Sequence, residues 1–278
     1  MTPLAELSSS MPNPVVLTRP VEQAADFAAR IAAGGRIVIP FPLLEIHGLE
    51  DYNVLDGVLA NLSDFGLIAF VSPNAIRAVF SRIPCLPVQL PVAVMGQGSL
   101  ATLAEFGIRP SAAIDLADGS NHHERVIFYP RNPERTDSET LLDELDMPSL
   151  RLKKILIIRG ETGRELLADR LRAQGVDVMQ VAAYRRAAPV FTLELQQQLA
   201  RLLESSNDWI VTSSEALHTA LSWAQQSGGQ SFVAKLQRQH LIVPHVRIAE
   251  TAQKLGFQSI TLSGSGDEHL LVALQSRP

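Results

Sequence analysis

The chain has 278 residues, 46% of them hydrophobic and 19% charged. That suffices for two ordinary α/β domains and excludes a globally disordered chain. A net charge of −5, from 24 basic and 29 acidic residues, gives no electrostatic case for nucleic acid as a partner. The single cysteine, Cys85, rules out an internal disulfide and any thiolate metal cluster, and it reads as a buried structural thiol, with a nucleophile as the alternative.

From the amino terminus, "MTPLAELSSSMPNP" lacks the basic and apolar regions of a signal peptide and is expected to be a loose tail. No apolar run approaches the roughly 18 residues of a membrane span, so a cytoplasmic protein without membrane contact is expected. Ten short runs rich in Val and Ile follow. They begin at Val15 ("VVLTRP"), Arg36 ("RIVIPFPLLEI"), Gly66 ("GLIAFVS"), Pro91 ("PVAVMG") and Arg125 ("RVIFYP"). They continue at Lys154 ("KILIIRG"), Val176 ("VDVMQVAAYRR"), Asp208 ("DWIVTSS"), His240 ("HLIVPH") and Ser259 ("SITLSGSG"). The segments between them carry apolar residues three and four apart, the period of amphipathic helices. Alternation of this kind predicts βα units and parallel sheets.

Helix starts are marked by the capping-box patterns "TDSE" (Thr136–Glu139), "TGRE" (Thr162–Glu165) and "TSSE" (Thr212–Glu215). The chain also resembles itself. "FVSPNAIRAVF" from Phe70 parallels "VTSSEALHTAL" from Val211, and "AVMGQGSLATLAEFG" from Ala93 parallels "LIVPHVRIAETAQKLGF" from Leu241. A third pair, "DSETLLDEL" from Asp137 and "GDEHLLVAL" from Gly266, keeps the same order. Three matched pieces predict two similar α/β domains. The proline-bearing links "PFPLLEI" and "AAYRRAAP" mark the passages between them.

No P-loop, nucleophile elbow or full dinucleotide fingerprint is present; "GQGS" lacks the third glycine at the required spacing. The pair His122 and His123 sits in polar sequence and reads as a solvated loop rather than a metal site, with no third ligand nearby. What remains is a set of strand-to-helix turns at the carboxyl ends of predicted strands, where open α/β sheets bind ligands. They carry Thr18 and Arg19, Ser72 and Asn74, Gly96 and Ser99, Arg159 and Gly160, Thr212, Ser213 and Ser214, and His245 and Arg247. Amide groups at helix starts favour carboxylates and phosphates. The hydroxyls serve equally as helix caps, and Arg19, Arg159 and Arg247 equally as members of structural ion pairs. Tyr184, one of three tyrosines, is either a packed core ring or a phenol able to donate a proton.

At these residues the sequence resembles the uroporphyrinogen-III synthase family. The resemblance runs through "LTRP", "FVSPNAIRAVF", "AVMGQGS", "DSETLLDEL", "ILIIRGETGRELLADRLRAQG", "AAYRRAAP", "IVTSSEAL" and "PHVRIAETAQKLGF", in order, from Val15 to about residue 276. It implies two parallel-sheet α/β domains, one discontinuous (1–40 plus 187–278) and one inserted (46–180), joined by linker strands at about 40–46 and 180–187, with a substrate cleft between them. It further implies a cofactor-independent cyclising hydro-lyase and a monomer. Its substrate would be hydroxymethylbilane, a linear tetrapyrrole with eight carboxylates, handed over by the enzyme that makes it. Tyr184 falls at the family's tyrosine and would assist departure of the substrate hydroxyl. The turn residues named above would bind substrate, although "PHVR" stands where many members carry a Gly and Thr turn, leaving His245 or Arg247 to replace those contacts. The alternative is a non-catalytic two-lobed homologue that binds an anion or a tetrapyrrole.

Overall fold

The structure, a computed structural model, describes residues 12–110, 125–131, 138–151 and 153–276. The amino-terminal stretch up to residue 11, the His122–His123 pair and the proposed cap Thr136 lie outside these residues. Eleven strands are described: β1 (Val15–Leu17), β2 (Val38–Pro40), β3 (Glu45–His47), β4 (Leu67–Phe70), β5 (Val92–Val94), β6 (Ile127–Phe128), β7 (Lys154–Gly160), β8 (Asp177–Ala187), β9 (Asp208–Ile210), β10 (His240–Val243) and β11 (Ser259–Leu262). Every one of the ten apolar runs contributes a strand, and the long run at Arg36 is divided by residues 41–44 into β2 and β3.

The chain divides into two compact units. The first holds residues 1–45 and 188–278, the second residues 46–187. In the first unit the strand order is β11-β10-β9-β1-β2, with each pair parallel. In the second it is β3-β8-β7-β4-β5-β6, and the pairs from β8 to β6 are parallel. Placed side by side, β11-β10-β9-β1-β2 and β6-β5-β4-β7-β8 match position for position. The internal resemblance is thus a resemblance of sheets, but the chain enters them at different points. It begins the first sheet at the strand equivalent to β7, leaves after two strands, and returns at the equivalent of β4.

Both sheets are covered on both faces, and the strands show why. In β4, Ile68 and Phe70 enter one apolar cluster while Leu67 and Ala69 enter another; in β7, Leu156 and Ile158 oppose Ile155 and Ile157 in the same way. In the first unit, Val16, Trp209 and Leu241 pack on one face, with Val15, Leu17 and Ile210 on the other. A strand buried on both faces has no polar side, which is why these segments read as continuous apolar runs rather than alternating ones.

The helices follow their own local signals. Pro73–Phe80 starts on Ser72, whose Oγ accepts the Ala75 amide at 3.2 Å, with proline at the first helical position. In "TSSE" the cap is Ser213, which accepts the Glu215 amide at 3.2 Å, one residue later than the pattern predicted. "TGRE" does not cap at Thr162 at all: the helix Leu166–Ala173 begins on Glu165, and the Glu165 side chain makes no cap bond. Strand β8 runs unbroken from Asp177 to Ala187 and takes in the stretch 180–187 expected as a linker strand, with β3 as its neighbour on one side. Cys85, expected to be buried, is exposed.

Candidate functional site

Each sheet offers its carboxyl edge, and the candidate turns distribute three to a unit. In the first unit they follow β1, β9 and β10, three adjacent strands; in the second they follow β7, β4 and β5, the equivalent three. In both, the strand order reverses between the first two of these, which is the position where open α/β sheets receive ligands.

In the second unit this point is built from three side-by-side strands. Tyr184, on β8, is 7% exposed, and its Oη lies 3.0 Å from Ser72 Oγ at the end of β4. Between them β7 ends at Gly160. A Cβ added there would stand 3.0 and 3.1 Å from ring atoms of Tyr184, so the phenol lies directly against bare backbone. The pairing of β7 with β8 shifts register between Arg159 and Gly160, and this irregularity brings Tyr184 opposite Gly160. Ser72 already accepts the Ala75 amide, and its remaining donor and acceptor capacity meets the phenol. Either hydroxyl can donate across the pair, so Tyr184 keeps a proton or a lone pair for a ligand.

One strand position earlier, Arg159 is buried and committed. Its Nη1 donates to Glu165 and, at 2.7 Å, to Gln180 Oε1, while Gln180 Nε2 donates to the second oxygen of Glu165. The Glu165 carboxyl is held below the usual carboxylate range, first by the hydrogen bond from Gln180 and then by that from Arg159. The failed capping box is explained here: Arg159, six residues back on β7, and Gln180 on the neighbouring strand β8 hold the glutamate in place of the local amides. In the same turn, Arg186 Nη2 donates to the Thr162 carbonyl at 3.0 Å. After β5, Gly96 precedes the helix Gln97–Glu105, and Ser99, expected in the turn, is instead inside that helix and buried. Asn74 lies in the first turn of the helix that Ser72 caps.

In the first unit, Thr18 is buried and its hydroxyl donates to the Ile210 carbonyl at 2.8 Å, joining the ends of β1 and β9. That bond commits the hydroxyl's proton to the chain. Arg19 pairs with Asp267 at 2.7 Å and lies over the Phe27 ring. Arg19 and Arg159 thus each stand in an ion pair within the chain. Thr212 and the cap Ser213 are half-buried after β9, and Ser214 Oγ lies 3.3 Å from Thr251 Oγ1. His245 opens the helix Val246–Lys254 without a side-chain cap bond, and its Nδ1 lies 3.3 Å from Ser265 Oγ; Arg247, two residues on, is exposed.

The opposite edge of the first sheet holds a charged network that the sequence reading missed. Asp208 is held by Arg36, and its Oδ1 lies 2.8 Å from His240 Nδ1; His240 Nε2 reaches Thr261 Oγ1 at 2.9 Å. Burial pushes the Asp208 carboxyl up, but hydrogen bonds and charge from His240 and Arg36 outweigh it and hold it below its ordinary value. The signal was present: Arg36, Asp208 and His240 each stand at the amino end of an apolar run. Among the described residues, no group of three or more His, Cys, Asp or Glu side chains could hold a metal ion, and no helix is long and apolar enough to cross a membrane.

The family model for uroporphyrinogen-III synthase HemD matches residues 25–271, most of the chain. The chain belongs to the uroporphyrinogen-III synthase family. Its relatives agree. The uroporphyrinogen-III synthase of Salmonella typhimurium is 28% identical over 262 residues, spanning 94% of this chain and 99% of that one. That of Escherichia coli is 27% identical over 264 residues, with the same coverage. Among solved structures, uroporphyrinogen-III synthetase from Helicobacter pylori superposes with a TM-score of 0.58 at 19% identity, covering 95% of this chain and all of the other. A mutant uroporphyrinogen III synthase from Thermus thermophilus gives 0.57 at 14% identity, covering 95% and 98%. At these identities the structures show a shared fold, the two-domain α/β fold of uroporphyrinogen-III synthases.

Proposed function

We propose that this chain cyclises hydroxymethylbilane to uroporphyrinogen III, with inversion of ring D and loss of water. The observation that carries the reading is Tyr184, held by Ser72 against the bare backbone of Gly160 where the strand order reverses. In the proposed reaction the phenol donates its proton to the departing hydroxyl, which leaves as water. The ring A cation so formed attacks the substituted carbon of ring D, giving a spiro intermediate. The bond between that carbon and the ring C methylene then breaks, leaving a ring C cation; the free carbon of ring D bonds to this methylene, and the proton lost from that carbon restores the phenol. The protein's larger task is to favour attack at the crowded carbon over the free one, which is a matter of orientation. The turns after β1, β9 and β10 and after β7, β4 and β5 supply amides and hydroxyls suited to a flexible polycarboxylate.

A coupled assay tests this. Hydroxymethylbilane is generated in place, the products are oxidised, and porphyrin isomers I and III are separated. The spontaneous closure gives isomer I; a predominance of isomer III in the presence of the protein is expected. Isomer I alone, from folded protein, would refute the activity and favour a non-catalytic tetrapyrrole-binding homologue.

A further inference from the structure

We propose that Arg159, Gln180 and Glu165 form a carboxylate seat at the carboxyl end of β7. In the empty protein Glu165 fills it with the chain's own carboxylate, and a carboxylate of the polyanionic ligand takes its place. The seat stands on geometry; only the identity of the incoming ligand rests on the proposed function.

The exposures are the first argument. The Arg159 side chain is 9% exposed while that of Glu165 is 52% exposed, so a buried guanidinium is covered by a carboxylate that solvent already reaches. The second is completeness of recognition. One carboxylate oxygen of Glu165 takes Arg159 Nη1 and the other takes Gln180 Nε2, and the two donors come from adjacent strands, not from the loop that carries Glu165. A rigid pair of donors, one of them charged, is what an incoming carboxylate needs. Third, Glu165 stands at the start of its helix, where the open amides favour a carboxylate, and its side chain makes no cap bond to them. Its carboxylate has an alternative place to go when displaced: those same amides. Fourth, the turn leaves room. At Gly163 (φ +146°) a Cβ would lie 3.2 Å from Arg159 Nη2 and 3.7 Å from Arg186 Nη2, so a glycine keeps the space beside two guanidiniums clear.

The placeholder also has a physical reason. A buried guanidinium without a counter-charge is strongly destabilising, whereas a partner held at the surface is exchanged at little net cost. Glu165 would therefore keep the empty protein folded without blocking the ligand. It would also set a threshold: a ligand must offer a carboxylate in the right place to displace it.

Calorimetric titration of the whole protein and its variants tests the seat, with benzenehexacarboxylate and uroporphyrin III as probes. Glu165→Gln removes the competing charge and keeps the shape, and it should bind both probes about tenfold more tightly than the parent. Adding Arg159→Gln should abolish that gain. A Glu165→Gln protein that melts lower and binds both probes no more tightly than the parent overturns the seat and leaves a plain structural ion pair. The two readings fail separately. Isomer III formed by the parent with no gain in Glu165→Gln sinks the seat alone. A gain with benzenehexacarboxylate, while only isomer I is formed, keeps the seat and removes the tetrapyrrole.

Discussion

Ser72 Oγ and Tyr184 Oη lie 3.0 Å apart, joining the ends of two strands that are separated in their sheet by β7. The bond fixes the bearing of the phenol. Tyr184→Phe should lower kcat for isomer III by about a hundredfold or more, the range of a positioned general acid, while stability changes by only ~1 kcal/mol. Ser72→Ala should cost roughly tenfold in kcat, since the phenol survives but is no longer aimed. Because Ser72 also caps a helix, Ser72→Thr is the informative control: it should restore both roles. Initial rates and thermal midpoints together check these outcomes, and full turnover by Tyr184→Phe would remove the acid role.

Gly160 makes a second prediction. Its backbone angles are open to any residue, so Gly160→Ala carries no conformational strain, only the contact of the new methyl with the Tyr184 ring at 3.0–3.1 Å. The ring must move. Turnover should fall at least tenfold, as a displacement of a catalytic group by a fraction of an ångström implies, with the fold retained. Steady-state kinetics beside far-ultraviolet circular dichroism separates the two effects.

The Arg36–Asp208–His240 network predicts a pH dependence of stability. The Asp208 carboxyl is depressed in the folded protein, so its contribution is complete above the ordinary carboxylate value of about 4 and is lost as pH falls below it. Asp208→Asn leaves the Arg36 guanidinium, 10% exposed, without its counter-charge and should cost about 3–5 kcal/mol at pH 7. The gap between parent and variant should narrow as pH falls below 4. Denaturant midpoints at pH 3, 5 and 7 read it directly, and a gap independent of pH would contradict the assignment.

Phe41 meets Trp209 and Trp223 edge-on, each at 5.7 Å between ring centroids, and Trp223 stacks on Phe191 at 4.3 Å. Phe41→Ala should cost about 3–5 kcal/mol. These are the chain's two tryptophans, and both belong to the first unit, so intrinsic fluorescence reports unfolding of that unit. The variant should shift the fluorescence midpoint accordingly.

The sequence made the strands legible because doubly buried strands are apolar on every residue, as "ILII" is in β7 and "LIAF" in β4. The sheet-level repeat was legible for the same reason. Helix starts were less so. The capping-box pattern is local, and in "TGRE" it lost to Arg159 and to Gln180 on the neighbouring strand, both outside the pattern. Ser99 fell inside a helix because nothing in "GQGS" marks where the first helical residue lies. The turn residues were found by type, but whether a hydroxyl faces inward, as in Thr18, or toward a phenol, as in Ser72, depends on which strands are neighbours. Strand order is not written in any one segment.

That order has a consequence for how the chain is made. Strand β1 lies between β2 and β9, and Thr18 bonds to a carbonyl 192 residues further along the chain. At about 5–20 residues per second, β9 leaves the ribosome roughly 10–40 s after β1. The second unit, contiguous from Ile46 to Ala187, is finished in that interval. Strands β1 and β2, with the apolar face of the helix Val21–Ala33, must wait as an unpaired nascent edge until it has passed. The long pause before the first sheet can close makes this amino-terminal segment the natural client of a chaperone acting during synthesis.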